Sequence, residues 1–259
     1  MDKRDALSRS RCGLGDSLVA RAAGAPAPRD PERGIAVIIA MMGILIISAL
    51  GTALVLGTAT ETMIARNFRA AAGAAAAADL SLRVAIEELA SLGDWNAVLM
   101  GSVRSRFADG LPDGDRTLAG NSTINPTGLS NLATCGKAAP CSASEMTAIT
   151  AERPWGTNNP RWRPFLYGAV ADISAAASGS PFYAVVLVAD DPSEVDADPL
   201  ADSAVPSPGA GMILVRATAF GPGGARATLE ATIARRDPTD LSLFPGASPV
   251  RMLSWRMSR

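Results

Sequence analysis

One feature near the N-terminus constrains this chain more than any other, a run of 23 consecutive residues without a charge. The run reads IAVIIAMMGILIISALGTALVLG from Ile35 to Gly57, and only Ser48 and Thr52 carry side-chain hydroxyls. At a helical rise of ~1.5 Å per residue, this length spans the ~30 Å hydrocarbon core of a bilayer. The apolar core of a secretory signal usually has only ~7–15 residues. The run therefore predicts a transmembrane helix.

The distribution of positive charge predicts the orientation of this helix. Many cations precede the apolar run, whereas only Arg66 and Arg69 follow it within roughly 15–20 residues. Because Lys and Arg concentrate on the cytoplasmic side, we expect a single-pass inner-membrane protein. Its cytoplasmic leader would be 1–34, its transmembrane segment 35–57, and its head would lie in the periplasm or outside the cell. The preceding cations are Lys3, Arg4, Arg9, Arg11, Arg21, Arg29 and Arg33.

Helical character continues beyond the apolar run, over residues 58–92. Alanine, the best helix former, dominates from Ala70 to Ala78. Apolar residues recur at three- and four-residue steps, which predicts one apolar face, and Gly93-Asp94 then ends the helix. We expect one helix, transmembrane in its first half and extracytoplasmic in its second; a plain anchor followed by an alanine-rich stalk is the alternative. The apolar face would comprise Ile64, Phe68, Ala71, Ala75, Ala78, Leu82, Ile86 and Leu89.

The rest of the chain predicts an antiparallel sheet preceded by long loops. Residues 93–180 are rich in Gly, Pro, Asn and Ser and predict loops with one short helix near 143–150. Residues 181–236 contain β-branched-rich runs at 182–189, 212–220 and 225–234, the last two joined as a hairpin by GPGG. Residues 237–259 would form a C-terminal tail. The expected fold class is α+β, with the long helix packed on the sheet.

The composition argues against catalysis. The sequence has no histidine, so the commonest general base and metal ligand at neutral pH is absent. It also lacks the GxxxxGK[ST] phosphate-binding motif, and GPGG at 221–224 is typical of a turn. We therefore expect a protein that is not an enzyme.

Two of the three cysteines, Cys135 and Cys141, lie close together in the part of the chain placed outside the cytoplasm. Nearby cysteines tend to oxidise there, and their spacing closes a small loop without strain. We predict a disulfide between them. Cys12 lies in the leader, and two thiolates without histidine would leave a zinc site incomplete.

An acidic segment, ADDPSEVDADPLADS, separates two predicted strands. Carboxylates alternating along a flexible loop are the hard oxygen ligands that Ca²⁺ prefers, and Asp196, Asp198 and Asp202 are the ligands we would expect. Acidic loops between strands are more often only solvated, and the spacing matches no EF-hand. Calcium is therefore the one cofactor considered.

The segment ERPWGTNNPRWRPFLYG interleaves aromatic residues with arginines. Such a pattern can stack on bases and contact phosphates of single-stranded nucleic acid. Trp and Arg between prolines more commonly pack as a staple that holds a loop to the core. We favour the staple and expect no nucleic-acid partner.

The junction Arg33-Gly34, placed directly before the apolar run, is similar to the leader of prepilins. The resemblance implies that prepilin peptidase cuts between Gly34 and Ile35, so that the mature chain begins at Ile35. Typical pilins carry Glu at the fifth mature position, where this chain has Ile39.

The segment ERGIAVIIAMMGILIISALG, followed by ETMIARNFRAAAGAAAAADLSLR, resembles the N-terminal domain of the minor pilin PilX family over about residues 33–92. Met63, Asn67 and the alanine run stand where that pattern expects them, and Asp79 replaces the usual Glu. The resemblance implies a pilin-like fold and a subunit that takes part in type IV pilus assembly. Its partners would be other pilin subunits, inner-membrane assembly components and the bilayer.

Small residues in the apolar run, among them Gly43, Ser48 and Gly51, would let neighbouring helices approach closely in lipid and in a fibre. Two rival functions remain open. A minor pseudopilin of type II secretion shares the same helix. A membrane-anchored extracytoplasmic binding protein would use the acidic segment or the Trp/Arg segment as its site.

Overall fold

The computed structural model describes residues 32–118, 121–194, 198–202, 211–236, 242 and 246–258. The chain divides into two units, residues 1–57 and 58–259, so the division falls where the apolar run ends. The helices are α1 (Glu32–Ser91), α2 (Asn96–Leu99), α3 (Pro126–Cys135), α4 (Ala143–Thr147) and α5 (Val170–Ile173), with 3-10 turns at Gly156–Asn158, Ala175–Ala177 and Pro222–Gly224.

The second unit is built on a five-stranded antiparallel sheet whose spatial order follows the chain, β3-β4-β5-β6-β7. Its β5–β6 hairpin turns through Pro222–Gly224, as the sequence predicts. A separate two-stranded ribbon joins β1 and β2. The strands are β1 (Arg116–Thr117), β2 (Thr123–Ile124), β3 (Arg163–Ala169), β4 (Tyr183–Asp190), β5 (Met212–Phe220), β6 (Arg226–Arg235) and β7 (Val250–Ser258).

One face of the sheet packs against the second half of α1. Leu82 and Leu89 of α1 are fully buried and belong to one core cluster with Val186, Val215 and Leu229 of three strands. Small residues complete the buried face of the helix, and their short side chains let its backbone approach the sheet. They are Ala74, Ala77, Ala78, Ser81 and Ala85.

The predicted apolar face of α1 is correct only in part. Ala78, Leu82 and Leu89 are buried, but Ile64 and Phe68 are 63% and 74% exposed. Gly73 of α1 lies against Phe182, the residue before β4. An added Cβ at Gly73 would come 2.7 Å from the Phe182 ring. From Gly34 to Ala72 every residue of α1 except the half-buried Gly43 and Ala70 is exposed, so apolar periodicity there is not evidence of packing against the described residues.

A buried tryptophan secures the end of α1. The Trp95 side chain is 1% exposed, and its indole N–H donates to the Leu89 carbonyl oxygen at 2.9 Å. The Arg235 guanidinium stacks over the same ring at 4.0 Å and donates to the Leu92 carbonyl. The carbonyl of Leu89 in the last turn of α1 and that of Leu92 just after the helix thereby receive side-chain hydrogen bonds.

The opposite face of the sheet carries a smaller core around Tyr167, Val185 and Leu187, against which α3 packs through Leu129 and Ala133. Local sequence determines α3. Its N-cap Asn125 accepts from the Gly128 amide at 2.9 Å, and proline occupies the first turn.

The structure contains more elements than the sequence predicts, and the longest of the unpredicted ones are α3, β3 and β7. The loop-rich segment 93–180 contains α3 and strand β3, and the predicted tail 237–259 contains strand β7. Each was missed because short apolar runs interrupted by Pro, Gly or Arg lack the periodicity that identifies an element. Helix α4, by contrast, lies within its predicted range, and the α+β class is correct.

Candidate functional site

The most unusual surface of the chain is the first half of α1. Between Ile35 and Leu56 every large apolar side chain is at least 58% exposed, and the exposure extends around the whole helix. A helix that is apolar on all sides is suited to a protein core or a bilayer, but not to water. Among the described residues, α1 is the one helix long and apolar enough to cross a membrane. We call the segment Gly34–Gly57 the apolar half of α1.

The predicted packing residues lie within this surface. No other side chain or distant backbone atom lies within 4 Å of the position where Gly43 or Gly51 would carry a Cβ. Ser48 contributes its carbonyl oxygen to a hydrogen bond from the Thr52 hydroxyl at 2.6 Å. The Thr52 hydroxyl is therefore satisfied within the helix, which lowers the cost of placing it in lipid.

The predicted cleavage position lies in the first turn of α1, which starts at Glu32. Gly34 has open space around it, and Ile35 is 60% exposed. Amides in the first turn of a helix have no intrahelical acceptor, so this turn opens at little cost. None of the described residues therefore covers the Gly34–Ile35 bond.

Cys135 and Cys141 form the predicted disulfide, with Cα atoms 6.0 Å apart. Lys137 lies within the loop that the disulfide closes, and Glu145 follows that loop. The Lys137 ammonium contacts the Glu145 carboxylate at 2.7 Å. Hydrogen bonds from Lys137 and Ser142 lower the pKa of Glu145 to about 2, so it stays ionised at physiological pH. The bridge joins the end of α3 to the segment before α4.

The acidic segment forms a cluster that shares only Asp202 with the predicted ligand set. Carboxylate oxygens of Asp190, Glu194 and Asp202 lie within 4.8 Å of one another, and the first two residues are buried. Asp198 is not in this group, and Asp196 lies outside the described residues. Asp202 also accepts from the Gly211 amide at 2.5 Å. The donors suit Ca²⁺ chemically, and calcium binding stays a prediction.

The Trp/Arg segment is mostly part of the core. Trp162, Phe165 and Tyr167 are at most 7% exposed, so their rings cannot stack on bases. Arg153 donates to the Glu145 carbonyl at 2.9 Å and thereby holds the loop in place. Only Trp155 is substantially exposed among the four aromatic residues of the segment, at 53%. This arrangement matches the staple interpretation.

Comparison with protein-family models, with curated proteins and with solved structures found no match. The described residues nevertheless define a class of protein. It is an α+β chain with one N-terminal helix that can cross a membrane and an antiparallel sheet in its second unit.

Proposed function

We propose that this chain is a minor-pilin-like subunit of a type IV pilus, and that it joins the fibre through the apolar half of α1. The observation that carries the proposal is the uninterrupted charge-free surface, which is exposed around the whole helix. A plain anchor needs only sufficient hydrophobicity. A helix that must move from lipid into a polymer also needs small residues for close helix contact, and Gly43, Ser48 and Gly51 supply them.

Two further features support the proposal. The Gly34–Ile35 junction is placed as in prepilins, with a basic leader before it. The second half of α1 is held on an antiparallel sheet by buried alanine and leucine side chains, which suits a rod that carries a head. The proposed subunit sits in the inner membrane with its head outside the cytoplasm, and it acts by packing and not by catalysis. Its partners are other pilin subunits, assembly components and prepilin peptidase.

The decisive experiment is to determine the N-terminus of the full-length protein recovered from membranes, with and without Gly34→Val. We expect the unmodified chain to start at Ile35 and the variant to keep residues 1–34, because a β-branched side chain obstructs the cleavage position. Gly51→Val, placed within the same apolar surface, is the matched control and should still be cleaved. Intact mass spectrometry measures the difference directly.

A mature chain that still contains residues 1–34 in the unmodified protein would overturn the pilin proposal in favour of the anchored binding protein. Cleavage alone does not separate a pilin from a pseudopilin of type II secretion. Shearing cells and blotting the released fibres does so, because a pilin subunit is expected in the fibre fraction, whereas a pseudopilin stays with the membranes.

A further inference from the structure

The two edge strands of the five-stranded sheet, β3 and β7, differ in whether another segment of the chain covers them. At the β3 edge, the Ser105 amide donates to the Phe165 carbonyl at 2.9 Å and the Asp109 amide donates to the Tyr167 carbonyl at 3.1 Å. Gly168 permits this close approach, since a Cβ there would lie 2.9 Å from the Phe107 carbonyl oxygen. The segment 105–109 therefore covers the edge with main-chain hydrogen bonds.

Side chains fix this covering segment in place. The Tyr167 hydroxyl donates to the Gly110 carbonyl at 2.6 Å, and the Tyr183 hydroxyl donates to the Asp109 carboxylate at 2.6 Å. Arg116 contacts the same carboxylate at 2.7 Å. An exposed strand edge is a template for pairing with another chain, and proteins commonly block such edges. The β3 edge is blocked in this way.

The β7 edge carries no comparable cover among the described residues. β7 pairs with β6 on one side, and no described strand pairs with its other side. The strand is nine residues long, and it contains neither proline nor lysine, two residues that commonly protect edges. Every residue from Arg251 to Met257 is exposed. β7 therefore offers a long accessible edge for strand pairing.

One face of β7 is apolar. Met252, Trp255 and Met257 pair with the odd-numbered β6 residues, whose side chains lie in the core against α1. These three side chains are 47%, 50% and 56% exposed, so the apolar core surface continues onto β7 without cover. Leu253, at the register shift, adds a fourth apolar side chain that is 46% exposed. Four exposed apolar side chains on one strand are typical of an interaction surface.

The other face of β7 is cationic. Arg251 and Arg256 pair with Ala234 and Glu230 of β6, which lie on the same face of the sheet. The Glu230 carboxylate is shared between Arg256 at 2.5 Å and Arg216 at 2.6 Å, so one carboxylate faces two guanidiniums. Arg256 remains 76% exposed, and β7 itself contains no acidic residue. This face therefore favours an anionic partner.

We propose that β7 receives an extended segment of another protein by β-strand addition, and that this segment alternates apolar with acidic residues. Main-chain hydrogen bonds to the open edge would supply affinity. Because strand side chains alternate between faces, the apolar residues would extend the Met252–Trp255–Met257 surface while the carboxylates face Arg251 and Arg256. A second copy of β7 fits poorly, since pairing two such strands would gather four arginines on one face.

The test uses the full-length protein in detergent micelles and a fluorescent eight-residue peptide in which valine alternates with glutamate. Fluorescence anisotropy should show saturable binding. A peptide of the same composition with its valines and glutamates in separate blocks should bind at least tenfold more weakly. The alternating peptide N-methylated on every residue should do the same, because none of its amides can donate to a strand edge. Equal binding of all three peptides would overturn strand addition.

Variants locate the binding surface. Trp255→Ser should weaken binding of the alternating peptide about fivefold, and Arg251→Glu should weaken it by a similar factor. Leu111→Ser removes an exposed apolar side chain near the covered β3 edge, on the far side of the sheet from β7, and should leave binding unchanged. Equal losses in Trp255→Ser and Leu111→Ser would reject β7 as the site. A concentration-dependent dimer that Trp255→Ser abolishes would reject the heterologous partner in favour of a second copy.

Discussion

The two halves of α1 share the helical backbone conformation but differ in the size and the exposure of their apolar side chains. From Ile35 to Leu56 the helix carries large aliphatic side chains that touch little else in the described chain. From Ala74 to Leu89 it carries mostly alanine on its buried face, and that face lies on the sheet. Large side chains thus occur where the protein provides no covering surface, and small ones occur where it does. The alanine-rich half has the higher intrinsic helix propensity, so propensity does not account for the large side chains of the first half.

The comparison shows what each half contributes to stability. Burial of Leu82 and Leu89 removes apolar surface from water within this chain, and the neighbouring alanines permit the close approach that makes this burial complete. The apolar half gains no such burial from the described residues. Under the proposed fibre role, lipid and the helices of other subunits would bury it.

The largest difference should come from truncating a leucine in each half. Leu82→Ala should lower the free energy of unfolding of the head by about 2–5 kcal/mol, because it opens a cavity between α1 and the sheet. Leu54→Ala removes a side chain that is 73% exposed and should change that free energy by less than about 0.5 kcal/mol. Chemical denaturation of the full-length protein in micelles, followed by near-ultraviolet circular dichroism, measures both. Equal losses would contradict the assignment of the core.

Enlarging an alanine in each half should have a smaller effect of the same kind. Ala78 is fully buried, and Ala78→Leu should cost about 1–3 kcal/mol of head stability because the helix must move away from the sheet. Ala53→Leu lies in the exposed half and should cost nothing measurable in the head. Thermal unfolding in the same micelles compares the two. A stabilised Ala78→Leu protein would indicate unfilled space at the helix–sheet contact.

The smallest difference in head stability is expected between alanine substitutions of one glycine from each half. Gly73→Ala would place a Cβ 2.7 Å from the Phe182 ring, and the ring cannot retreat because it also lies against Gly221. We expect a loss of about 1 kcal/mol despite the better helix propensity of alanine. Gly57→Ala meets open space and should leave the head unchanged. Combining Gly73→Ala with Phe182→Leu should recover part of the loss; no recovery would mean that the ring is not the obstacle.

Sequence patterns identified much of the sheet in the head but not its last strand, β7. In the sequence, Leu229, Ala231 and Ile233 alternate with polar residues, which predicts one buried side for this strand, and in β6 all three are at most 3% exposed. β7 follows a stretch without periodicity, and its sequence mixes apolar residues with Arg and Ser, so neither a buried face nor an end could be recognised. Pairing with β6 supplies the hydrogen bonds that make it a strand.

Among the candidate sites, too, one could be predicted from the sequence and another could not. The disulfide could be predicted because Cys135 and Cys141 are close in sequence and spacing alone limits the alternatives. The carboxylate cluster could not, because it joins Asp190 and Glu194 to Asp202 across a chain segment whose path local residues do not specify. Trp95 was missed as an anchor for the end of α1, although a tryptophan just after a helix stop is a signal that could have been used.

Sequence alone determined the apolar half of α1, the continuation of the helix through the alanine run, and the hairpin of β5 and β6. Each depends on residues near in the chain, through hydrophobicity, helix propensity and turn chemistry. Tertiary structure alone decided which face of the alanine run is buried, which carboxylates meet, and that one sheet edge is covered while no described residue pairs with the other. Those outcomes depend on contacts between distant residues, and the free energy of such contacts is set by shape and burial, which no local pattern encodes.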